Sequence, residues 1–214
     1  MLIAILLGQI AFGLLAMTIC LPSMQEWGAI FGANQASVQL SFSGFVISYG
    51  ALQIVYGPLS DRYGRKVVLL TGLSVAGVGS LLAALAPDLP SLIAARVVQG
   101  AGSAAGMVVG RSMVQDVFQG PQRTRVMAYI GMAMGLCPPL ASIVGGQIHV
   151  YVGWRANFML IAVMAVVLLI ASCGRYQRVK PWWQEKPIGL ATWRPHMPAW
   201  PASPPLCCMW RFCR

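Results

Sequence analysis

Charged side chains are scarce in this sequence, and acidic side chains are the scarcest. Only 9% of the 214 residues are charged, and the chain has five Asp and Glu residues in total. Soluble domains carry about 25% charged residues, which keep their surfaces hydrated. Because 57% of the residues are hydrophobic instead, we expect an integral membrane protein rather than a soluble domain.

Six long runs that are almost free of charge supply the candidate membrane spans. They cover residues 2–21, 36–57, 67–86, 89–110, 126–148 and 156–174, and Arg96 is the one charged residue within them. A helix needs about 20 apolar residues to cross the hydrocarbon core, and the alternation of barrel strands is missing. Residues 1–174 are therefore predicted to form an all-α membrane domain of six spans. The first run lacks the basic start and cleavage site of a signal peptide.

The basic residues fall almost entirely on one side of the predicted membrane domain. That side receives segments 57–67 and 111–125 and everything after residue 174, and it holds 13 of the 15 Lys and Arg residues. Lys and Arg close to spans stay in the cytoplasm, so both termini are predicted to be cytoplasmic. The net charge of +10 then reflects topology, and no nucleic-acid partner is predicted because no basic stripe lies on a soluble domain.

Motifs of catalysis and of metal binding are missing. His149 and His196 are isolated, and Cys20, Cys137 and Cys173 are spread over separate spans without metal-ligand spacing. The glycine-rich run "GSAAGMVVG" lacks the lysine of a phosphate-binding loop. We therefore predict no enzyme activity, no metal and no cofactor.

Charge is concentrated in "GPLSDRYGRKV", residues 57–67, where four of eleven residues are charged. Pro58 is expected to end the second helix, since its ring disrupts a helix interior. Gly57 and Gly64 are expected to allow tight turns on either side of the charges. Asp61 precedes the next helix, whose positive N-terminal dipole favours a carboxylate. A simpler interpretation is that these charges only fix the topology.

Arg96 is the single residue that most strongly suggests a function, because it is the one charge within a predicted span. It lies eight residues after Asp88, which places it roughly 12 Å along a helix. An arginine deep in a bilayer costs about 2.5–3.5 kcal/mol on insertion scales, so Arg96 is expected to face a polar interior, with Gln99 on the same helix face. The alternative is that Arg96 reaches towards the outer surface.

Glycines repeat every four residues in two of the spans. Gly102, Gly106 and Gly110 share one face of the fourth span, and Gly131 and Gly135 share one face of the fifth. Small residues at this spacing let two helices approach closely in lipid. We predict that they pack against neighbouring helices, with a substrate path as the second interpretation.

Several motifs together carry a family resemblance. "GPLSDRYGRK" resembles the loop between helices 2 and 3 of the major facilitator superfamily, and "RVVQGAGSAAG" resembles its helix 4. "GRSMVQDVF" is similar to the end of helix 4 in drug:proton antiporters, "GWRANF" to the entry of helix 6, and "CLPSM" to the end of helix 1. The chain resembles the first six-helix half of a bicyclomycin- or chloramphenicol-resistance type exporter, a half built as a 3+3 inverted repeat.

The resemblance implies roles for particular residues. In the family, the residues that match Asp61, Arg65 and Asp116 form a charge network. The Asp that matches Asp61 also meets a helix of the second half there, which steadies the outward-facing state. The rest of this gating motif is Gly57, Arg62, Gly64 and Lys66. Arg96, Gln99 and Arg111 become candidates for transport and proton coupling.

The sequence departs from the family pattern in two places. "PPLASIVGG" keeps Gly145 and Gly146 of the antiporter motif in helix 5, which are predicted to pack against neighbouring helices, but Ala141 and Ser142 replace its Gly-Pro pair. Relatives often have an acid where this chain has Thr18, and no acid lies inside any predicted span. The proton-carrying carboxylate would then belong to the second half, or coupling is absent.

Residues 175–214 differ in composition from the rest of the chain. They hold seven of the 14 prolines, five of the seven tryptophans and one acid. Proline at this density breaks helices and strands. Three interpretations stay open: a disordered cytoplasmic tail, an anchor with Trp and Arg at lipid headgroups, and translation out of frame, which the content of Pro, Arg, Trp and Cys favours.

The resemblance predicts a multi-pass protein of the inner membrane that exports amphiphilic drug-like molecules in exchange for protons. Alternating access moves one half against the other, so the six-helix half is expected to be inactive alone. Two alternatives remain. The chain could work as a half-transporter, as a dimer or with a separate second half, or it could be a small membrane interaction protein whose basic tail binds lipid or a partner.

Overall fold

The computed structural model describes residues 2–175, which form seven α-helices with no strand among them. The helices are α1 (Leu2–Thr18), α2 (Met24–Phe31), α3 (Gln35–Tyr63), α4 (Arg65–Ala84), α5 (Leu89–Val117), α6 (Gly120–Val152) and α7 (Trp154–Arg175). Apart from Arg175, the predicted tail of residues 175–214, with His196, lies outside the described residues.

The helices α3 to α7 are each long and apolar enough to cross a membrane, and α1 is a shorter apolar helix of 17 residues. The predicted all-α membrane fold is confirmed. In lipid a helix satisfies all of its backbone hydrogen bonds internally, which explains why the apolar runs located these six helices.

The prediction that Pro58 ends the second span is wrong, because α3 continues through Pro58 to Tyr63. A proline at position 58 removes the donor for the carbonyl of Ile54, four residues earlier, and membrane helices tolerate such a loss. Gly57 lies inside α3 as well, so it is helical and forms no turn.

Gly64 alone makes the connection between α3 and α4. Its φ is +93°, a conformation that a side chain disfavours, and its N–H bonds to the carbonyl of Ser60. The predicted loop 57–67 is thus two helix ends joined by one glycine. The predicted loop 111–125 is similarly short, since only residues 118–119 separate α5 from α6.

The short helix α2 was not predicted, because the search for long apolar runs cannot find a helix of eight residues. Its Trp27 is fully buried and contacts two aromatic side chains of α7, Trp154 and Phe158, at ring-centre distances of 5.8 and 6.1 Å. These contacts hold α2 against the start of α7, at the end of the bundle where residues 22–35, 85–88 and 149–155 lie. We call this the opposite end, and the end near residues 60–66 and 111–125 the basic end.

Helix α5 lies at the centre of the bundle, packed against α1, α3 and α4. A methyl group added to Gly102 would overlap the backbone of Ala76 in α4, and one on Gly106 would lie 2.6 Å from the carbonyl oxygen of Gln9 in α1. Gly110 is similarly close to Ile10. These three glycines therefore stand where α5 touches its neighbours.

The other predicted packing glycines differ among themselves. A methyl group added to Gly145 of α6 would overlap the carbonyl of Ile19, and one added to Gly146 would lie at ordinary contact distance from Pro22. Around Gly131 and Gly135, in contrast, nothing lies within 4 Å of an added methyl group. In the described part of the chain, that face of α6 has no neighbour.

This contrast gives a matched pair of substitutions. Gly102→Ala should lower the free energy of unfolding of the purified chain by about 1–3 kcal/mol, because the methyl group has no space between α4 and α5. Gly131→Ala should leave it unchanged or raise it by about 0.5–1 kcal/mol, since alanine favours a helix. Thermal unfolding in detergent measures both, and equal effects of the two substitutions would contradict this packing.

Candidate functional site

Arg96 lies in the second turn of α5, a helix of 29 residues, and is fully buried. Its Nη1 donates to the carbonyl oxygen of Ala16 in α1 at 2.8 Å and to Oε1 of Gln99 at 2.6 Å. Gln99 Nε2 in turn donates to Ser80 Oγ of α4 at 2.8 Å. A polar chain therefore runs from α1 through α5 to α4, inside an otherwise apolar bundle.

Aromatic rings enclose the guanidinium group of Arg96. Its Cζ lies 4.3 Å from the ring centre of Phe45 in α3 and 5.8 Å from that of Phe158 in α7. Such rings attract a cation through their negative faces, more strongly where water is excluded. Neither Nε nor Nη2 of Arg96 has a hydrogen-bond partner among the described residues, so the rings supply much of the stabilisation that water would give.

The expectation that Arg96 faces a polar interior with Gln99 beside it agrees with these contacts. Its side chain is directed into the bundle and not towards the outer surface. Five helices contribute to its surroundings, namely α1, α3, α4, α5 and α7. Arg96 therefore lies where these five helices come together.

At the basic end, the structure brings together the three predicted network residues. Arg65 Nη2 lies 2.9 Å from Asp61 Oδ1, and Arg65 Nε donates to Asp116 Oδ2 at 3.2 Å. Arg65 Nη1 also donates to Ser60 Oγ at 2.7 Å. One guanidinium thus joins the ends of α3, α4 and α5.

The remaining predicted residues of this end lie around that network. Arg62 stacks over the ring of Tyr63, with 5.5 Å from Cζ to the ring centre. Lys66 is half-buried in the first turn of α4. Arg111 is exposed on α5, and its Nη2 contacts the sulfur of Met134 in α6 at 3.0 Å.

Sequence reasoning missed a second polar cluster, at the opposite end. His149 Nε2 of α6 lies 2.9 Å from Glu26 Oε2 of α2, although His149 looked isolated in the sequence. Asn157 Nδ2 of α7 donates to Ser23 Oγ and to the carbonyl of Gly145, both at 3.1 Å. The predicted topology could have revealed this cluster, because it places loops 22–35 and 149–155 on one side of the membrane.

The acids of the described chain all stand near helix ends: Glu26 and Asp88 at the opposite end, Asp61 and Asp116 at the basic end. Within residues 2–175, no group of three or more His, Cys, Asp or Glu side chains could hold a metal ion. Among residues 2–175, the bundle interior holds one buried cation, Arg96, and charged clusters join helices at both ends. This arrangement is typical of a helical membrane transporter.

Comparison with known proteins identifies the family. Residues 2–210 match the Major Facilitator Superfamily, and this chain belongs to it. The match extends beyond the motifs of residues 20–158 that carried the resemblance. The family consists of multi-pass membrane transporters, and the predicted drug-resistance relatives are among the similar proteins.

The relatives include proteins named for drug resistance. Multidrug resistance protein D of Escherichia coli is 31% identical over 163 residues, which are 76% of this chain and 41% of that protein. The chloramphenicol resistance protein of Pseudomonas aeruginosa is 29% identical over 76% of this chain and 38% of its own length. A bicyclomycin resistance protein homolog of Haemophilus influenzae is 29% identical over 69% and 37%. The chain spans about two fifths of the length of these relatives.

A solved structure agrees on the fold. The peptide transporter POT, crystallised as its E310Q mutant with sulfate, superimposes with a TM-score of 0.71 over 83% of this chain and 37% of that chain. The sequence identity is 17%, so the likeness concerns the arrangement of the helices alone.

The enclosure of Arg96 predicts that charge alone cannot replace it. Arg96→Lys should lower the free energy of unfolding by about 1–3 kcal/mol, because an ammonium lacks the flat face that lies against Phe45 and the forked donors. Arg123→Lys, at an exposed position in the first turn of α6, is the control and should change it by less than about 1 kcal/mol. An Arg96→Lys protein as stable as the wild type in thermal unfolding would show that the rings and the fork are unimportant.

Proposed function

We propose that this chain forms one half of a proton-coupled exporter of amphiphilic, drug-like molecules. The observation that carries the proposal is the buried Arg96, linked to three helices of a transporter-family bundle by hydrogen bonds and enclosed by two aromatic rings. A buried cation is costly in a membrane and usually marks a pathway or a coupling site. The names of the drug-resistance relatives supply the class of substrate.

In this proposal Arg96 acts through its neighbours and does not touch the substrate in the described conformation, because it is fully enclosed. A change in its environment would move Gln99 and Ser80, and with them the contact between α4 and α5. Asp61 and Asp116 lie at the ends of α3 and α5, and no described spanning helix has an acid in its middle, so the carboxylate that carries the proton would be contributed by the second half. Arg111, exposed beside α6, would face the path between the halves.

The network of Asp61, Arg65 and Asp116 would act as the gate at the basic end. Arg65 is the shared partner of both carboxylates, so its geometry depends on the relative positions of α3, α4 and α5. Exposed Asp61 (side-chain exposure 65%) is available to a partner helix in one state and to solvent in the other. This fits a contact that forms and breaks during alternating access.

The broad exposed surfaces of α3 and α6 support the need for a partner. Large apolar side chains point away from the bundle along α3, such as Ile47 and Ile54, and along α6, such as Leu136 and Ile143. Lipid or a second bundle would cover them. Because alternating access needs two bodies, the six-helix half is proposed to be inactive by itself.

Transport assays test this directly. The purified chain in liposomes that carry a pH gradient should move a fluorescent amphiphilic drug no faster than empty liposomes do, because one half has nothing to move against. Drug movement that a protonophore abolishes would contradict the proposal of an inactive half.

A working homodimer is the second candidate, and the unpartnered glycine face of α6 favours it. Crosslinking in membranes separates the two candidates. A crosslinked dimer together with proton-driven transport would establish the half-transporter, whereas a monomer without transport would support the inactive half.

The orientation is also a proposal, and it follows from the sorting of Lys and Arg. With the basic end in the cytoplasm, reporter tags inserted after Pro87 and after Gly120 should lie in opposite compartments, the first outside and the second inside. Protease protection or a compartment-dependent reporter enzyme gives the answer. Finding both tags in the same compartment would contradict the six-span topology.

A further inference from the structure

An open groove lies at the opposite end of the bundle, between α2, the first turns of α3 and the start of α5. Its volume is about 570 Å³, which lies within the range of about 300–1,000 Å³ that small-molecule sites occupy. Of the described residues that line it, all except Ser37 and Asp88 are apolar. Neither the Arg96–Gln99 pair nor the Glu26–His149 pair is part of this lining, so the groove is a feature of its own.

The walls of this groove are held in place by contacts behind them. The ring of Phe31, at the end of α2, packs edge-on against Trp154 of α7 with 5.7 Å between the ring centres. On the side of α5, the Asp88 carboxylate accepts from the backbone N–H of Ser91 at 3.1 Å and caps the helix. A site that is formed in advance loses little affinity to the ordering of its own side chains.

The apolar part of the lining is open to solvent or lipid. Ile30 of α2 is 48% exposed and Leu40 of α3 is 58% exposed. Covering apolar surface is favourable by about 25 cal/mol for each Å² that is removed from water. A ligand with an apolar body would therefore gain affinity from these two side chains.

Asp88 gives the groove its charge, because it is the one charged residue among the described residues of the lining. Hydrogen bonds from the side chain and the backbone of Ser91 hold the pKa of the Asp88 carboxyl below its ordinary value, so it is ionised at neutral pH. Within residues 2–175 it forms no ion pair. The start of α5 offsets only about half a unit of this charge, so the groove stays negative.

The other charges of this end distinguish between possible ligands. Arg155 donates to the carbonyl of Ala86 at 3.3 Å and lies over the ring of Trp154, outside the lining. A lipid phosphate in the groove would meet a carboxylate and no basic side chain of the described lining, which disfavours a phospholipid headgroup. An organic cation would instead find the carboxylate of Asp88 and the face of an aromatic ring, Phe31, which also attracts cations.

We propose that this groove binds small amphiphilic organic cations, such as quaternary ammonium or phosphonium ions that carry aromatic groups. The apolar groups of the ligand lie between α2, α3 and α5, against Ile30 and Leu40, and its charge lies beside Asp88. The site is complete within this chain, so it goes beyond the proposed export and does not depend on it.

Binding of two ions with the same shape and opposite charge tests the proposal. Tritiated tetraphenylphosphonium and tritiated tetraphenylborate are measured separately on the immobilised full-length chain in a neutral detergent, by scintillation proximity. The phosphonium should bind saturably and the borate about tenfold more weakly, because one exposed carboxylate favours the cation by roughly threefold and disfavours the anion by as much. Equal binding of the two ions, or no saturable binding of the phosphonium, would overturn the proposal.

Asp88→Asn locates the charge that binds the cation. Asparagine caps a helix about as well as aspartate, so this variant keeps the start of α5 and should weaken phosphonium binding roughly threefold. Glu26→Gln is the matched control, since it removes a negative charge at the same end but outside the lining, and it should leave the affinity unchanged. An unchanged affinity in Asp88→Asn, or an equal loss in Glu26→Gln, would refute the site.

Ala33→Trp locates the apolar part of the site. Ala33 lies in the lining between α2 and α3, and an indole there would fill the groove and abolish saturable binding of the phosphonium. Ala51→Trp, at an exposed position of α3 outside the lining, is the control and should bind as the wild type does. Wild-type binding in a folded Ala33→Trp protein would contradict the proposal. If that variant does not fold, Asp88→Asn decides.

Discussion

The burial of one positive charge in an apolar bundle is the constraint on which the rest of this structure depends. Arg96 requires acceptors and rings from several helices at once, and these must come close to α5. Gly79 and Gly100 allow this approach. A methyl group added to Gly79 would lie 2.5 Å from the backbone nitrogen of Gln99, and one added to Gly100 would lie 2.5 Å from the carbonyl oxygen of Phe45. Close backbone contact brings Ser80 and Phe45 within reach of the Arg96–Gln99 pair. The burial of Arg96 therefore depends on the close helix contacts that these glycines allow.

The two ends of the bundle hold their helices by different chemistry. At the basic end, Arg65 joins two carboxylates that are partly in water, so each pair is weak alone and easily exchanged. At the opposite end, Trp27 and Phe158 bury large surfaces, and polar groups such as Asn157 fill the gaps between them. An exchangeable end and a firmly packed end would suit the alternating-access motion proposed for this half.

The sequence predicted the membrane class and six apolar segments, which correspond to five helices of spanning length and the shorter α1, because the cost of charge in lipid is strong enough to show in composition. Helical periodicity placed Gln99 on the same face as Arg96. It misplaced the helix end at Pro58, since a membrane helix tolerates the missing donor, and it missed α2, whose eight residues lie below any span length. It also treated His149 as isolated. Contacts such as Glu26–His149 depend on which loops share an end of the bundle, and periodicity along one helix carries no such information.

The glycines of α6 connect the fold to its proposed partner. In lipid, apolar surface gains little from helix association, so small residues matter mainly where two backbones approach closely. Gly102 and Gly106 make such approaches within this bundle, but Gly131 and Gly135, at the same spacing, meet nothing within 4 Å. The chain spans only 37 to 41% of three drug-resistance relatives, which leaves room for a second bundle in those proteins. A helix from that bundle, or from a second copy of this one, would pack closely against Gly131 and Gly135, as their spacing predicts.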